Sequence, residues 1–250
     1  MFYSKKLKNF KNIKHCFFSR HGGFSKGLYK GLNCGRGSKD KKENILRNLN
    51  YVSKRMFVKK NKLILMNQTH SNKVVEIKKN NFKKKINSDA IITRTQEFAL
   101  GVVTADCVPI LLYDKKNEIV GCIHAGWKGA LSGIIKNTVK KIKKLSSDND
   151  IFASIGPCIG KSSYEVDVKF YKKFLSNSPK NKKYFFKKNK IKMLFDLRTF
   201  VADKLIELKV RVDHVQHDTF REKKNFFSFR RSFKLKQSDY GRCISVIRLL

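Results

Sequence analysis

Residues 102–130 read VVTADCVPILLYDKKNEIVGCIHAGWKGA, two apolar runs joined by the polar DKKN. How these runs pair decides the fold around them. If Val108–Tyr113 and Glu118–Ile123 form an antiparallel hairpin about DKKN, Tyr113 faces Glu118, and the same register places Cys107 opposite His124. Directly opposed side chains hold their Cβ atoms about 4.5–5.5 Å apart. That separation suits a shared metal ion or a thiolate–imidazole pair. Pro109 speaks against the register, because proline cannot donate to a ladder and is confined to an edge or a bulge. A buried Cys is also common core filling, so the residues alone leave core and chemistry both open. Asp106 adds weight to chemistry, since a carboxylate in an apolar strand needs a partner or water.

A third candidate, His70, lies in the QTHS of KLILMNQTHSNKVVEI, which reads as strand, polar turn, strand. His70, Cys107 and His124 together meet the ligand count of a catalytic zinc site, three protein ligands with a fourth position open. Their spacings match no compact zinc-finger motif, so such a site would be assembled by the fold. His15, His21, His214 and His217 fit surface or structural roles better.

Further out, IKHCFFSRHGGFSKGLYKGLNCGRG (13–37) reads as a strand feeding a loop with six glycines. It holds no P-loop signature. Lys41–Met56 looks helical, DAIITRT (89–95) and ALGVVTADCVPILLY (99–113) look β-rich, and apolar residues at 134, 135, 139, 142 and 145 have helical spacing. IFASIGPCIG predicts a strand ending in a turn, SYEVDVKFYKKFL leads into a helix, and RTFVADKLIELKV predicts an amphipathic helix. FFSFRR and CISVIRLL predict two closing strands, and Lys180–Lys190 a mobile, solvated loop. This order predicts an α+β fold, an α/β layered sandwich with mixed sheets flanked by helices. No repeat or linker divides it, so residues 1–250 are read as a single domain.

The net charge of +38 would ordinarily prompt a search for nucleic acid. The basic residues are mostly Lys, however, mixed with Asn, Ile and Phe in every region, and no nucleic-acid-binding motif accompanies them. Solvated lysines spread over the surface are the expectation, with no specific nucleic-acid partner. The six cysteines sit in apolar runs and lack the dense framework of a secreted disulfide scaffold, so free thiols are expected. No stretch reaches the length of a membrane span and no secretory signal is present, which predicts a cytoplasmic location with no membrane contact. Against the lysine background, Arg230, Arg231 and Arg242 stand out, because the planar guanidinium fork suits phosphate or carboxylate.

Taken together, SRHGGFSKGLYKGLN, QTHS, TADCVPILL, HAGWKG, GPCIGKSSYEV, FFSFRR and YGR resemble the YfiH family, also called the laccase-domain or multicopper polyphenol oxidase family. The motifs run in family order from Ser19 to Arg242. The resemblance implies a fold related to the cysteine hydrolase domain of deamidating toxins. It implies a metal, usually zinc with copper as the alternative, bound at the positions of His70, Cys107 and His124. It also implies phosphorolysis of adenosine, inosine, guanosine and 5′-methylthioadenosine, with purine nucleosides and phosphate as partners, and deamination of adenosine.

On this reading Cys107, His124 and Asp106 form the catalytic set, with Asp106 a candidate proton shuttle, and Arg20, Arg230 and Arg231 are candidates for binding phosphate. The chain departs from the pattern at Lys128, where an Arg is frequent, and at Ser163 and Asp218, where Cys is frequent. None of these is an expected ligand. Three alternatives accompany the reading: a copper-dependent phenol oxidase, a Cys107–His124 amidase acting on peptidoglycan precursors, and a basic nucleic-acid-associated protein with a structural zinc. Nothing in the sequence sets the oligomeric state.

Overall fold

The structure, a computed structural model, describes residues 1–145 and 148–250. In chain order its strands and helices are β1 (Ile13–Phe17), α1 (Lys42–Arg55), β2 (Leu63–Leu65), β3 (Val74–Glu76), β4 (Ala90–Thr93), β5 (Ala99–Thr104), β6 (Val108–Asp114), β7 (Ile119–Ala125), α2 (Trp127–Ser132) and α3 (Ile134–Lys143). There follow β8 (Ile151–Ile155), β9 (Glu165–Asp167), α4 (Val168–Asn177), β10 (Phe185–Lys187), β11 (Lys192–Phe195), α5 (Leu197–Ile206), β12 (Arg211–His214), α6 (Phe229–Lys234) and β13 (Cys243–Leu249). The strands form a six-stranded mixed sheet ordered β12-β8-β6-β7-β4-β3, a four-stranded sheet ordered β1-β13-β5-β2, and a small sheet ordered β10-β11-β9.

Side-chain alternation stacks these into layers. On β6, Leu111 and Tyr113 point toward the four-stranded sheet and pack with Phe17, Leu100, Val102 and Ile247. Ile110 and Leu112 point the other way, onto Ile135 and Val139 of α3, Val201 and Leu205 of α5, and the aromatic group of Phe174 on α4 with Phe185 and Phe195 of the small sheet. The far face of the four-stranded sheet receives Ile45, Leu49 and Val52 of α1. A strand covered on both faces has no polar face to show, which is why VPILLY is a continuous apolar run. Each such fully buried side chain contributes roughly 1.5–3 kcal/mol relative to exposure. The expected layered α+β arrangement is therefore present. Among the described residues no helix is long and apolar enough to cross a membrane.

The hairpin forms in a different register from the one predicted. Pro109 faces His124, Tyr113 faces Val120, and Asp114 faces Ile119. Asp114 belongs to the strand because its buried carboxylate organises the turn, accepting from Lys116 N at 3.2 Å, Asn117 Nδ2 at 2.8 Å and Asp150 N at 3.0 Å. The connection is thus Lys115–Glu118, closed by Glu118 at φ 49°. The slip is two residues, one full repeat of the pleat, so every side chain keeps its predicted face.

Pro109 lies in a central strand, not at an edge. The His124 N–H turns away to Asp89 O at 2.7 Å, so Pro109 and His124 are a non-hydrogen-bonded pair. The missing proline donor lies past the last rung of the β8 ladder, where its carbonyl still accepts from Gly156 N at 2.9 Å.

Of three further expectations, the first holds and the other two change. The two runs around QTHS are strands, but β2 joins the four-stranded sheet and β3 the six-stranded one. FFSFRR is not a strand. Ser228 caps a helix there, its Oγ accepting from Arg231 N at 3.1 Å, and α6 follows. The 180–190 segment is not a solvated loop throughout: it holds a 3₁₀ turn and β10, and it buries Tyr184 and Phe185 against the aromatic group of the small sheet.

Candidate metal centre

The chain passes twice between the two large sheets near one point, from β2 to β3 through the QTHS loop and from β5 to β6 through Ala105–Cys107. His124 sits near the end of β7 beside both crossings. The ligand atoms of His70, Cys107 and His124 all lie within 4.8 Å of one another. One ion with bonds of about 2.0–2.3 Å draws such a triangle together with small side-chain adjustments. Cys107 does not oppose His124 in the ladder; it lies in the bend just before β6, diagonal to His124. The expected trio nevertheless meets, because the two-residue slip left the faces unchanged.

Asp89, at the entrance to β4, holds the centre in place, and sequence reasoning assigned it no role. Its fully buried carboxylate accepts from His124 Nδ1 at 2.8 Å, His70 N at 3.0 Å, and Ser71 N and Oγ at 2.6 and 2.7 Å. Burial would raise its pKa, but the bonds from His124 and Ser71 outweigh this and hold it well below the usual carboxylate range. With Nδ1 committed to the carboxylate, Nε2 is the His124 nitrogen that would meet a metal, the carboxylate–histidine–metal arrangement. Burial would lower the His124 pKa, yet the adjacent Cys107 sulfur and the Asp89 carboxylate raise it to about 9. Burial and the His124 charge lower that of His70. The only sequence signal for Asp89 was a lone carboxylate at the start of the buried AIIT strand.

The QTHS loop is fixed from its other end by Gln68, whose side-chain amide exchanges hydrogen bonds of 2.8 and 2.9 Å with the main chain of Val103. His70 itself has φ 57°. In HAGWKG, Gly126 is required by space: a Cβ there would lie 2.6 Å from His70 Nδ1 and 3.0 Å from Cys107 Sγ. The lone Trp opens α2 and packs edge-on against Phe170, ring centroids 4.9 Å apart.

The trio opens into a cavity of about 790 Å³. Trp127, Tyr164, Phe170, Phe229 and Tyr240 form its apolar walls, and Arg36, Lys128, Lys192, Arg230 and Arg242 bring positive charge to it. Volume and lining suit a small molecule with an aromatic part and an anionic one.

The expected phosphate-binding arginines separate. Arg230 lines the cavity, donating to Glu165 O at 2.6 Å with its guanidinium over the Tyr164 ring. Arg20 does not: it donates to Lys30 O at 2.9 Å and Lys223 O at 3.3 Å. Arg231 is likewise spent on main-chain carbonyls, those of Thr219 and Phe220 at 2.8 Å and Phe226 at 2.5 Å. Asp106, at φ 83°, is buried and accepts from Thr219 Oγ1 at 2.7 Å, Ser228 Oγ at 2.9 Å and Arg230 N at 2.6 Å. Burial raises its pKa. Asp106 also lines the cavity, and its carboxylate fastens the start of α6 to the bend that carries Cys107.

Known proteins resemble the chain in sequence and in fold. The sequence profile described as multi-copper polyphenol oxidoreductase laccase matches residues 14–250. The purine nucleoside phosphorylase of Rickettsia conorii is 37% identical over 193 residues, covering 76% of this chain and 80% of that one. That of Haemophilus influenzae is 30% identical over 241 residues, covering 95% and 94%. Among solved structures, a Neisseria meningitidis protein superposes with a TM-score of 0.85 at 30% identity, covering 96% of this chain and 95% of that one. The Bacillus licheniformis protein YfiH superposes at 0.89 and 25% identity, covering 97% and 95%. With a matching profile over nearly its whole length and a shared fold, the chain belongs to the YfiH-type family of laccase-domain proteins.

Proposed function

We propose that the chain is a zinc-dependent purine nucleoside phosphorylase that accepts adenosine, inosine, guanosine and 5′-methylthioadenosine and also deaminates adenosine. The observation that carries this reading is the three-ligand cluster opening into a cavity with aromatic walls and several cations. The names borne by the relatives support the reaction class.

His70, Cys107 and His124 would hold the ion, and their N/S donor set suits zinc, with copper as the alternative. A bound zinc supplies Lewis-acid polarisation. The rest falls to this chain's own groups. Asp89 fixes the His124 ring and the loop of His70. Trp127, Tyr164 and Phe170 offer flat apolar faces for a purine, excluding water from it. Arg230 is held at the rim by Glu165 O and Tyr164, and Asp106 keeps its helix docked. Purified protein incubated with inosine and phosphate should release hypoxanthine and ribose 1-phosphate, and with adenosine alone should release inosine. Neither product from metal-replete protein would refute the proposal.

A second reading draws on one specific contact set. Cys107 Sγ lies within 4.8 Å of a ring nitrogen of His124, whose Nδ1 is oriented by Asp89. This is the nucleophile–base–orienter order of a cysteine amidase, and peptidoglycan precursors would be its substrates. Chelation separates the two: an amidase gains activity when the thiolate is freed of metal, and a zinc phosphorylase loses it. Copper-loaded protein that oxidises phenols would support the oxidase reading instead.

A further inference from the structure

The cations of the cavity divide by what they touch. Arg230 donates to a main-chain carbonyl. Arg36 and Arg242 form no ion pair with a carboxylate among the described residues, although both line the cavity. Arg242 lies over the Tyr240 ring, 4.3 Å from its centroid, with one long bond of 3.4 Å to Tyr240 O. The acid beside it, Asp239, is occupied by Tyr29 Oη and Lys39 N, each at 2.7 Å. The cavity's own carboxylates are also engaged: Asp106 by three donors, Glu165 by Lys188 and Lys234, and Asp167 by Phe170 N.

One buried amide brings the two arginines together. Asn33 is fully buried, and its Oδ1 accepts from Gly35 N at 3.0 Å and Arg242 N at 2.9 Å. Its Nδ2 donates to Ser38 Oγ at 3.0 Å and Asp40 Oδ2 at 2.9 Å. Cys34 N also donates to Arg242 O at 3.0 Å. The loop carrying Arg36 is therefore stitched to the segment carrying Arg242, and the missing side chain of Gly35 makes room for it. A Cβ on Gly35 would lie 2.9 Å from Arg242 Cδ. Arg36 and Arg242 thus line the cavity from two joined segments, neither in an ion pair with a carboxylate among the described residues, and guanidiniums so left offer fork-shaped hydrogen bonds to an oxyanion.

We propose that Arg36 and Arg242, positioned by Asn33, form the subsite for a phosphoryl group, in place of Arg20 and Arg231. This deepens the phosphorolysis reading and rests on it for the ligand's role: orthophosphate as co-substrate and the phosphate of ribose 1-phosphate as product. The same chemistry would also suit the phosphate of a nucleoside 5′-monophosphate, and binding measurements tell these apart.

The test titrates zinc-loaded full-length protein calorimetrically with orthophosphate, ribose 1-phosphate and adenosine 5′-monophosphate, and measures the KM for phosphate and for inosine. Arg36→Gln and Arg242→Gln should each weaken phosphate binding roughly ten- to a hundred-fold. The KM for phosphate should rise by far more than that for inosine. Arg36→Lys and Arg242→Lys should recover part of the loss, which a merely structural defect would not allow. Lys140→Gln, on the exposed side of α3, controls for the change in net charge. Unchanged phosphate affinity in both Gln variants, or no phosphate binding by the wild type, overturns the subsite even if nucleosides are cleaved. Phosphate binding that the Gln variants lose, without nucleoside cleavage, upholds the subsite and refutes the phosphorolysis reading. Tightest binding of the monophosphate, lost in the same variants, upholds the subsite and assigns it to a nucleotide.

Discussion

The two ends of the cavity are built on opposite electrostatic plans. At one end a single buried carboxylate, Asp89, accepts from His124 Nδ1 and from the main chain of the His70 loop. At the other end Asn33, an uncharged amide, ties Arg36 and Arg242 together and neutralises neither. The first group suits a cation, and the second is the one proposed for an anion. What differs is only whether the buried organising group carries charge.

The comparison breaks most severely if the ligands are removed. Cys107→Ala or His124→Ala should abolish stoichiometric metal, read by elemental analysis, and lower activity by about a thousand-fold or more. A smaller loss should follow Gly126→Ala, whose new Cβ would crowd His70 Nδ1 and Cys107 Sγ. An ångström of displacement costs about a hundred-fold in rate, with melting temperature changed much less than activity. Asp89→Asn turns an acceptor toward the His70 and Ser71 amides into a competing donor. It should weaken zinc about ten- to a hundred-fold by competition with a chelating dye, while leaving phosphate affinity at the other end unchanged.

Asp106→Asn probes the joint between the ends. Leaving one of its three donors unsatisfied should cost about 1–3 kcal/mol in denaturant unfolding, with metal retained. The smallest effect concerns a buried histidine without a carboxylate hydrogen bond. Burial lowers His15 to about 4, though Asp213 opposes this, and its Nε2 accepts from Ser4 N. A base depressed in the folded state favours folding fully only above its unfolded value near 6.5, and that advantage is lost as pH falls toward about 4. His15→Gln should flatten the acid side of the stability curve, measured by urea midpoints between those pH values.

Much of this was legible in residues 102–130, and the reasons for the rest are physical. Continuous apolar runs marked β6 and β7, but only the carboxylate of Asp114 reveals that the strand reaches one residue further and the turn begins later. The error of two residues was harmless to the site because strand faces repeat every two. That β2 and β3, and likewise β5 and β6, part to different sheets is not encoded in local pattern, and those partings are where His70 and Cys107 lie. FFSFRR alternates like a strand, yet the Ser228 cap and the pull of buried Asp106 on Arg230 N make it a helix. Arg20 and Arg231 could not be told from Arg242 in sequence, since only the fold decides which guanidinium lines the cavity.

The central claim is that one metal, held by His70, Cys107 and His124, is required for phosphate-dependent cleavage of a purine nucleoside. Protein purified with zinc, as wild type and as Cys107→Ala, should be compared for bound metal and for phosphate-dependent release of hypoxanthine from inosine. About one ion per chain and base release are expected in the wild type, with both lost in the variant. Metal content and base release that persist together in Cys107→Ala would contradict it.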